Sequence, residues 1–197
     1  MRDLVVHAWT SVDGFNLDEG TEAMKWAAEI DDPVGDELFA ARLAGAGTHI
    51  MGRVTYLEMA DFWPQSSDVN AAPMNDVPKV VFSRTLRDAR WPETRIASGD
   101  TAQEIARLKA EPGGEIIAHG GTQFVRSLVR LGVVDRYRFY VVPFAAGAGV
   151  PLFTADAHPG PLRLEQSTAY PGGILELSYA PARPGGPVLA DPGHADQ

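Results

Sequence analysis

THIMGRVTYLEMAD, residues 48–61, is the stretch on which the fold turns. Thr48 to Met51 is a short apolar run of strand-forming residues, which suits a buried strand. Gly52-Arg53 breaks the run, and Val54 to Asp61 has helix-forming composition. A strand, a glycine turn and a helix make the repeating unit of a parallel sheet, because parallel strands need a crossover. The pattern recurs downstream. Lys79 to Phe82 is a buried strand left through Ser83-Arg84. Glu115 to Ala118 is another strand, followed by Gly120-Gly121 and an amphipathic helix over Thr122 to Leu131.

Working outward, Leu4 to Thr10 reads as a buried strand ended by the turn Ser-Val-Asp-Gly, residues 11–14. Residues 22–30 have helical composition, with Thr21 as N-cap. Asp32-Pro33 pairs an N-cap with a proline at the first helical position, and the helix behind it ends at Gly45 and Gly47. Residues 63–77 hold Pro64 and Pro73 without a period and predict a loop. Arg95 to Ala97 predicts a short strand and Thr101 to Lys109 a helix. Arg136 to Val142 alternates, with Tyr137, Phe139 and Val141 on one side and Arg136 and Arg138 on the other. That predicts a half-exposed strand near an edge. Arg163–Tyr170 and Ile174–Tyr179 flank Pro171-Gly172-Gly173 and predict a hairpin. The expectation is a single α/β domain over residues 1–180, with a mainly parallel central sheet flanked by helices and a C-terminal antiparallel hairpin. Residues 181–197, rich in Pro, Gly, Ala and Asp, predict a disordered tail.

Composition narrows the function. The chain has 197 residues, 17 basic against 26 acidic, and a formal net charge of −9. An acidic balance argues against a nucleic-acid partner. The absence of cysteine excludes disulfides, thiolate catalysis and zinc-thiolate sites. No apolar run approaches the length that spans a bilayer, and the N-terminus lacks a signal-peptide pattern. We therefore expect a cytoplasmic protein without a membrane partner. The five histidines show no ligand spacing, so no metal site is expected.

Chemistry gathers at the strand ends. In a parallel sheet, ligands bind outside the carboxyl ends of strands, and helix N-termini there favour phosphate. Gly52-Arg53, Ser83-Arg84 and Gly120-Gly121 would share that edge. Residues 79–95 carry five basic residues, Lys79, Arg84, Arg87, Arg90 and Arg95, against Asp88 and Glu93. A positive patch in an acidic chain suits one anionic ligand. The glycine fingerprint of the Rossmann fold, G-x-G-x-x-G, does not follow the first strand.

MGRVTY (51–56), KVVFSRTL (79–86) and IAHGGTQF (117–124), in this order, resemble the cofactor-binding segments of the dihydrofolate reductase superfamily. HAWTSVDGF (7–15) and RYRFYVVPFAAGAGVPLF (136–153) resemble one branch of it, that of the C-terminal reductase domain of the bifunctional riboflavin-biosynthesis deaminase/reductase and its stand-alone relatives. The resemblance implies an NADPH-dependent reductase that transfers hydride to a small heterocyclic, pteridine- or pyrimidine-like, or related carbonyl or imine substrate. It implies that Gly52, Arg53, Val54 and Thr55 meet the adenosine and pyrophosphate side. Arg53, Ser83 and Arg84 would surround the 2′-phosphate. Gly120, Gly121, Thr122, Gln123 and Phe124 would wrap the pyrophosphate and nicotinamide ribose, with His119 standing where relatives often have a further glycine. Ala8, Trp9 and the turn containing Asp13 would lie by the nicotinamide and substrate. Asp36 would be a buried carboxylate that recognises the substrate and steers its protonation. It also implies a homodimer, which Arg136–Val142 and the hairpin could form by pairing across a two-fold axis. The alternative is a non-catalytic dimeric module that binds a nucleotide or flavin.

Overall fold

The computed structural model describes residues 1–17, 22–154 and 160–182. The Thr21 cap and nearly all of the expected tail lie outside them. In chain order the elements are β1 (Leu4–Thr10), β2 (Phe15–Asn16), α1 (Glu22–Ala28), α2 (Pro33–Ala44), β3 (Thr48–Gly52), α3 (Arg53–Phe62), α4 (Ala71–Asp76), β4 (Lys79–Phe82) and β5 (Thr94–Ala97). Then follow α5 (Thr101–Ala110), β6 (Ile116–His119), α6 (Thr122–Arg130), β7 (Arg136–Val141), β8 (Val150–Pro151), β9 (Leu162–Ala169) and β10 (Leu175–Pro181).

The main sheet has the order β5-β4-β3-β6-β1-β7-β10-β9. Its first six strands are parallel, and β10 and β9 join antiparallel. This is the expected α/β architecture with its terminal hairpin. Alternate residues of each strand point to opposite faces. On one face Leu4, Val6, Ile50, Val80, Ile116 and Ala118 pack against Ile105 and Leu108 of α5 and Val125 and Leu128 of α6. On the other, Met51, Val81 and Ile117 pack against Leu43 of α2, Tyr56 of α3 and Met74 of α4. At one corner the backbones touch so closely that a Cβ on Gly114 would stand 2.2 Å from the carbonyl oxygen of Gly45. Among the described residues no helix is long and apolar enough to cross a membrane.

Three expectations need correction. Residues 63–77 are not one loop: Trp63–Gln65 forms a 3-10 turn and α4 follows. Pro73 disguises that helix, yet it sits in the first turn, where a missing N–H costs nothing. The far end of α4 is held by Lys79, whose Nζ donates to the carbonyls of Met74, Asn75 and Val77 at 3.0, 2.7 and 2.8 Å. Lys79 therefore does not add to a positive surface patch, and Arg95 is paired with Glu104. The third correction concerns β7, which is not near an edge. It lies between β1 and β10, and Arg138 is buried. Its alternation is as expected, but both faces are covered. The two-residue strands β2 and β8 pair with each other and carry no sequence period of their own.

Asp32 joins the N-terminus of α2 to the hairpin. Its Oδ1 accepts from the Gly35 backbone N–H at 2.9 Å, as an N-cap should, and its Oδ2 accepts from Gly172 N–H at 2.8 Å. The residue is 4% exposed; its bond from Gly35 is shielded from water, and its bond from Gly172 is partly so. Asp32→Ala should cost about 2–3 kcal/mol, more than a cap alone, because a partly buried hairpin N–H loses its acceptor as well. Urea denaturation would measure it, and a loss below about 0.5 kcal/mol would contradict the double role.

Candidate active site

Parallel register brings the three strand ends to one level. Gly52 of β3 stands opposite Phe82 of β4, and Ile50 of β3 opposite Ala118 of β6. Gly52-Arg53, Ser83-Arg84 and Gly120-Gly121 therefore leave the same edge of the sheet. Gly52 and Gly121 are the N-caps of α3 and α6, and neither helix start receives a side-chain cap. Gly121 has φ of 75°, and a Cβ there would stand 2.5 Å from Thr55 Oγ1. Only glycine allows that path.

A cavity of about 710 Å³ opens beside these helix starts. Its lining includes Gly52, Arg53, Val54 and Thr55, then Gly120, Gly121, Thr122, Gln123 and Phe124, and also Ala8, Trp9 and Asp36. The size suits a cofactor with a small substrate. Ser83 and Arg84 do not line it. They lie at the neighbouring strand end, where Ser83 Oγ accepts from the N–H groups of Thr85 and Leu86 at 3.2 and 2.9 Å. Arg53 and Arg84 are both exposed, and neither has a carboxylate partner among the described residues. Asp13 is not brought to the cavity. Its carboxylate accepts from Ala146 N–H at 3.1 Å and Gly147 N–H at 2.7 Å, fastening one loop to another. The Ser11 hydroxyl and these two N–H groups hold its pKa down to about 2. Asp36 lines the cavity from the first turn of α2 but is exposed, not buried. Partial desolvation and the neighbouring Asp68, Asp32 and Asp31 raise its pKa above the ordinary carboxyl value.

Much of the floor has no signal in the sequence. His7 faces Arg138 across β1 and β7, and Trp9 faces Tyr140. His7 also pairs in register with His119 of β6, and Tyr140 with Glu176 of β10. Period-2 alternation puts these side chains on one face of the sheet. Trp9 and Tyr140 stack with centroids 4.9 Å apart, and Phe39 of α2 meets Tyr140 edge-on at 5.0 Å. Beneath the aromatics runs a charged network. Arg138 Nη1 donates to His7 Nε2 at 2.7 Å and to Glu115 Oε1 at 2.7 Å. Arg42 of α2 donates to Glu176 Oε2 at 2.9 Å, and the Tyr170 hydroxyl donates to the same carboxylate. Nothing in a single strand's pattern separates a buried arginine from an exposed one, so the pairing becomes visible only with β10 in place.

Three histidines share this layer. His119 Nε2 lies 2.7 Å from His49 Nδ1, and the rings of His7 and His119 are 6.2 Å apart. Burial lowers all three pKa values, that of His119 to about 4. For His7 the positive charge of Arg138 adds to burial, and for His49 the neighbouring His119 and Lys79 add to it. Among the described residues no cluster is arranged to hold a metal ion.

The sign of the pH dependence follows. Between about 4 and the ordinary 6.5 the unfolded chain binds protons at positions where native His119 stays neutral. Stability is therefore full above pH 6.5 and lost as pH falls toward 4, by up to about 3 kcal/mol for this residue. Urea midpoints across that range should fall, and His119→Gln should flatten the slope. An unchanged slope in the variant would contradict a neutral buried His119.

Comparison with known proteins fits this architecture. The family model of the RibD C-terminal domain matches residues 2–175. The uncharacterized protein YyaP of Bacillus subtilis (strain 168) is 25% identical over 183 residues, covering 90% of this chain and 94% of that protein. A structure from Shewanella sp. PV-4, named "Putative riboflavin biosynthesis protein", superposes with a TM-score of 0.73 at 21% identity, over 92% of this chain and 99% of the other. Dihydrofolate reductase from Enterococcus faecalis, complexed with NADP(H) and RAB-propyl, gives a TM-score of 0.61 at 12% identity, over 90% and 95%. At such identities the two structures attest the fold alone. With the family match spanning nearly all of the described strands, and the strand order and helix starts already accounted for, the chain belongs to the RibD C-terminal domain family, whose fold is that of the dihydrofolate reductase-like reductases.

Proposed function

We propose that this protein is an NADPH-dependent reductase that delivers hydride to a small heterocyclic, pyrimidine- or pteridine-like, or related carbonyl or imine substrate. One observation carries the reading: two uncapped helix N-termini open onto an aromatic cavity large enough for a coenzyme and an acceptor. Family membership and the NADP(H) complex of the Enterococcus faecalis enzyme support the same choice. The residues fit the coenzyme. The glycine path at Gly120-Gly121 leaves backbone room for a pyrophosphate, and the starts of α3 and α6 offer positive dipole ends to it. Arg53 and Arg84, exposed and free of carboxylate partners among the described residues, suit the 2′-phosphate that distinguishes NADPH from NADH, with Ser83 as a hydroxyl donor beside them.

When bound, the coenzyme supplies a hydride. The chain's own residues bind, align and dry the site. Ala8 and Trp9, at the end of β1, form the wall on which the nicotinamide and acceptor meet. Trp9, Phe39 and Tyr140 exclude water from that wall. Asp36, at the mouth, is the carboxyl group placed to pass a proton to the acceptor, and partial desolvation with the neighbouring Asp68, Asp32 and Asp31 raises its pKa above the ordinary value. Asp13, which does not line the cavity, is given no role here. No covalent intermediate is required, and positioning accounts for much of the rate.

Replacing Arg53 and Arg84 together by alanine should weaken NADPH by about 10- to 100-fold while changing NADH by less than about threefold. Titration by calorimetry distinguishes the two, and equal losses would overturn the phosphate assignment. Steady NADPH oxidation with a pterin, pyrimidine or quinone-like acceptor separates the reductase from a non-catalytic module. We further propose a homodimer. Because β7 is interior, the strand edge for pairing is β9, whose residues are mostly exposed. Light scattering should give twice the 21.2 kDa chain mass, and a 21.2 kDa particle would rule the dimer out.

A further inference from the structure

Away from the two helix starts the lining of the cavity changes character. Met24, Ile30, Phe39, Met59, Trp63 and Met74 give it apolar walls. Methionine thioethers are polarizable and adaptable, and they pack well against flat aromatic rings. Three carboxylates share these walls: Asp36 on α2, Glu58 on α3 and Asp68 in the turn ahead of α4. Asp36 and Asp68 stand close enough to repel, since Asp68 helps to raise the Asp36 pKa. Asp68 Oδ1 accepts from the backbone N–H and the side-chain amide of Asn70 at 2.7 and 2.8 Å. None of the three carboxylates forms an ion pair among the described residues.

Compensating positive charge does not reach this part of the cavity. Every lysine and arginine except Arg183 lies among the described residues, and of these Arg53 alone is in the lining. Arg53 opens α3, at the end read above as the coenzyme side. The two guanidinium ions beneath the floor, Arg42 and Arg138, are balanced by Glu176 and Glu115. Lys79 is occupied by its three carbonyls. A phosphate ester entering between these walls would lose hydration, meet carboxylates and find no cation to receive it. The same ring without the phosphate would give up only the water on its apolar faces. Repulsion between like charges is stronger in a cleft with apolar walls than in open water.

Resting on the reductase reading above, we propose that the substrate is an unphosphorylated flat heterocycle, neutral or cationic, and that Glu58 and Asp68 are specificity-determining residues that turn phosphate esters away. The apolar walls select the ring, and the carboxylates select its charge. Specificity of this kind comes from a repulsive element set against the wrong ligand as much as from contacts with the right one.

The test uses three probes built on one ring system, 1-naphthol, 1-naphthyl phosphate and 1-naphthylmethylamine, which are neutral, anionic and cationic near neutral pH. The full chain carries methyl-labelled methionine and is held in excess NADP+, which fills the coenzyme end. Of its five methionines, Met24, Met59 and Met74 line the cavity, so their methyl shifts give each affinity. Naphthol and the amine should each bind at least about tenfold more tightly than the phosphate. Asp68→Asn combined with Glu58→Gln should raise the affinity for the phosphate about 3- to 10-fold and leave that for naphthol within about twofold. Asparagine retains an acceptor oxygen for Asn70, and circular dichroism checks that the double variant is folded. A phosphate bound as tightly as naphthol, a gap unchanged in the folded double variant, or naphthol that shifts none of the three methyls would overturn the proposal. NADP+ binding is followed in a separate titration, and its failure would count against the reductase reading alone. Charge selection is then read on the cofactor-free protein at Met24 and Met74, which belong to α1 and α4 rather than to the helices that start at the glycine corners.

Discussion

Removing a guanidinium from water is among the more expensive things a fold can do, and here Arg138 is 6% exposed. Its partners come from separate parts of the chain: Glu115 just before β6, His7 on β1 and, with its Nε 3.6 Å from the carboxylate, Glu176 on β10. Arg42 of α2 reaches the same Glu176. Removing one member would leave another charge buried and uncompensated, which costs about 3–5 kcal/mol in comparable cases. The network therefore does more than neutralise a charge. It ties the sheet floor of the cavity to α2, its wall, and to the hairpin behind it. Aromatic packing of Trp9, Tyr140 and Phe39 sits on that base.

Two kinds of information build the cavity, and they are written differently along the chain. The glycine edge is local. A turn from strand to helix that must pass close to another backbone demands glycine, as Gly121 does beside Thr55. Such demands survive in short segments, so Gly52, Gly120 and Gly121 stand out in the sequence by themselves. The polar floor of the cavity is tertiary. His7, Tyr140, Arg138 and Glu176 lie on three different strands and mean nothing until register aligns them.

The same distinction separates what is legible in the sequence from what is not. The span of β1, the Asp32 cap and the order of the three glycine corners are readable because each rests on composition or turn chemistry within a few residues. The helix around Pro73 is not, because its stabilising contact, Lys79 on three carbonyls, comes from the following strand. Arg138 reads as solvent-facing and is buried, since alternation identifies two faces but does not say that both are covered. Asp36, expected buried, stands at the mouth, and Asp13, expected near the substrate, fastens a loop. Both are acidic residues whose surroundings depend on neighbours distant in sequence.

The position of Glu176 near the end of the described chain bears on biosynthesis. Arg42, Glu115 and Arg138 all leave the ribosome before it does. The parallel strands β1, β3, β4 and β6 can associate while translation continues, as chains generally begin folding from the N-terminal side. Arg42 finds its carboxylate only when β10 is made. A chain interrupted before β10 would thus carry its glycine corners beside a basin in which Arg42 and Arg138 lack the carboxylate they share.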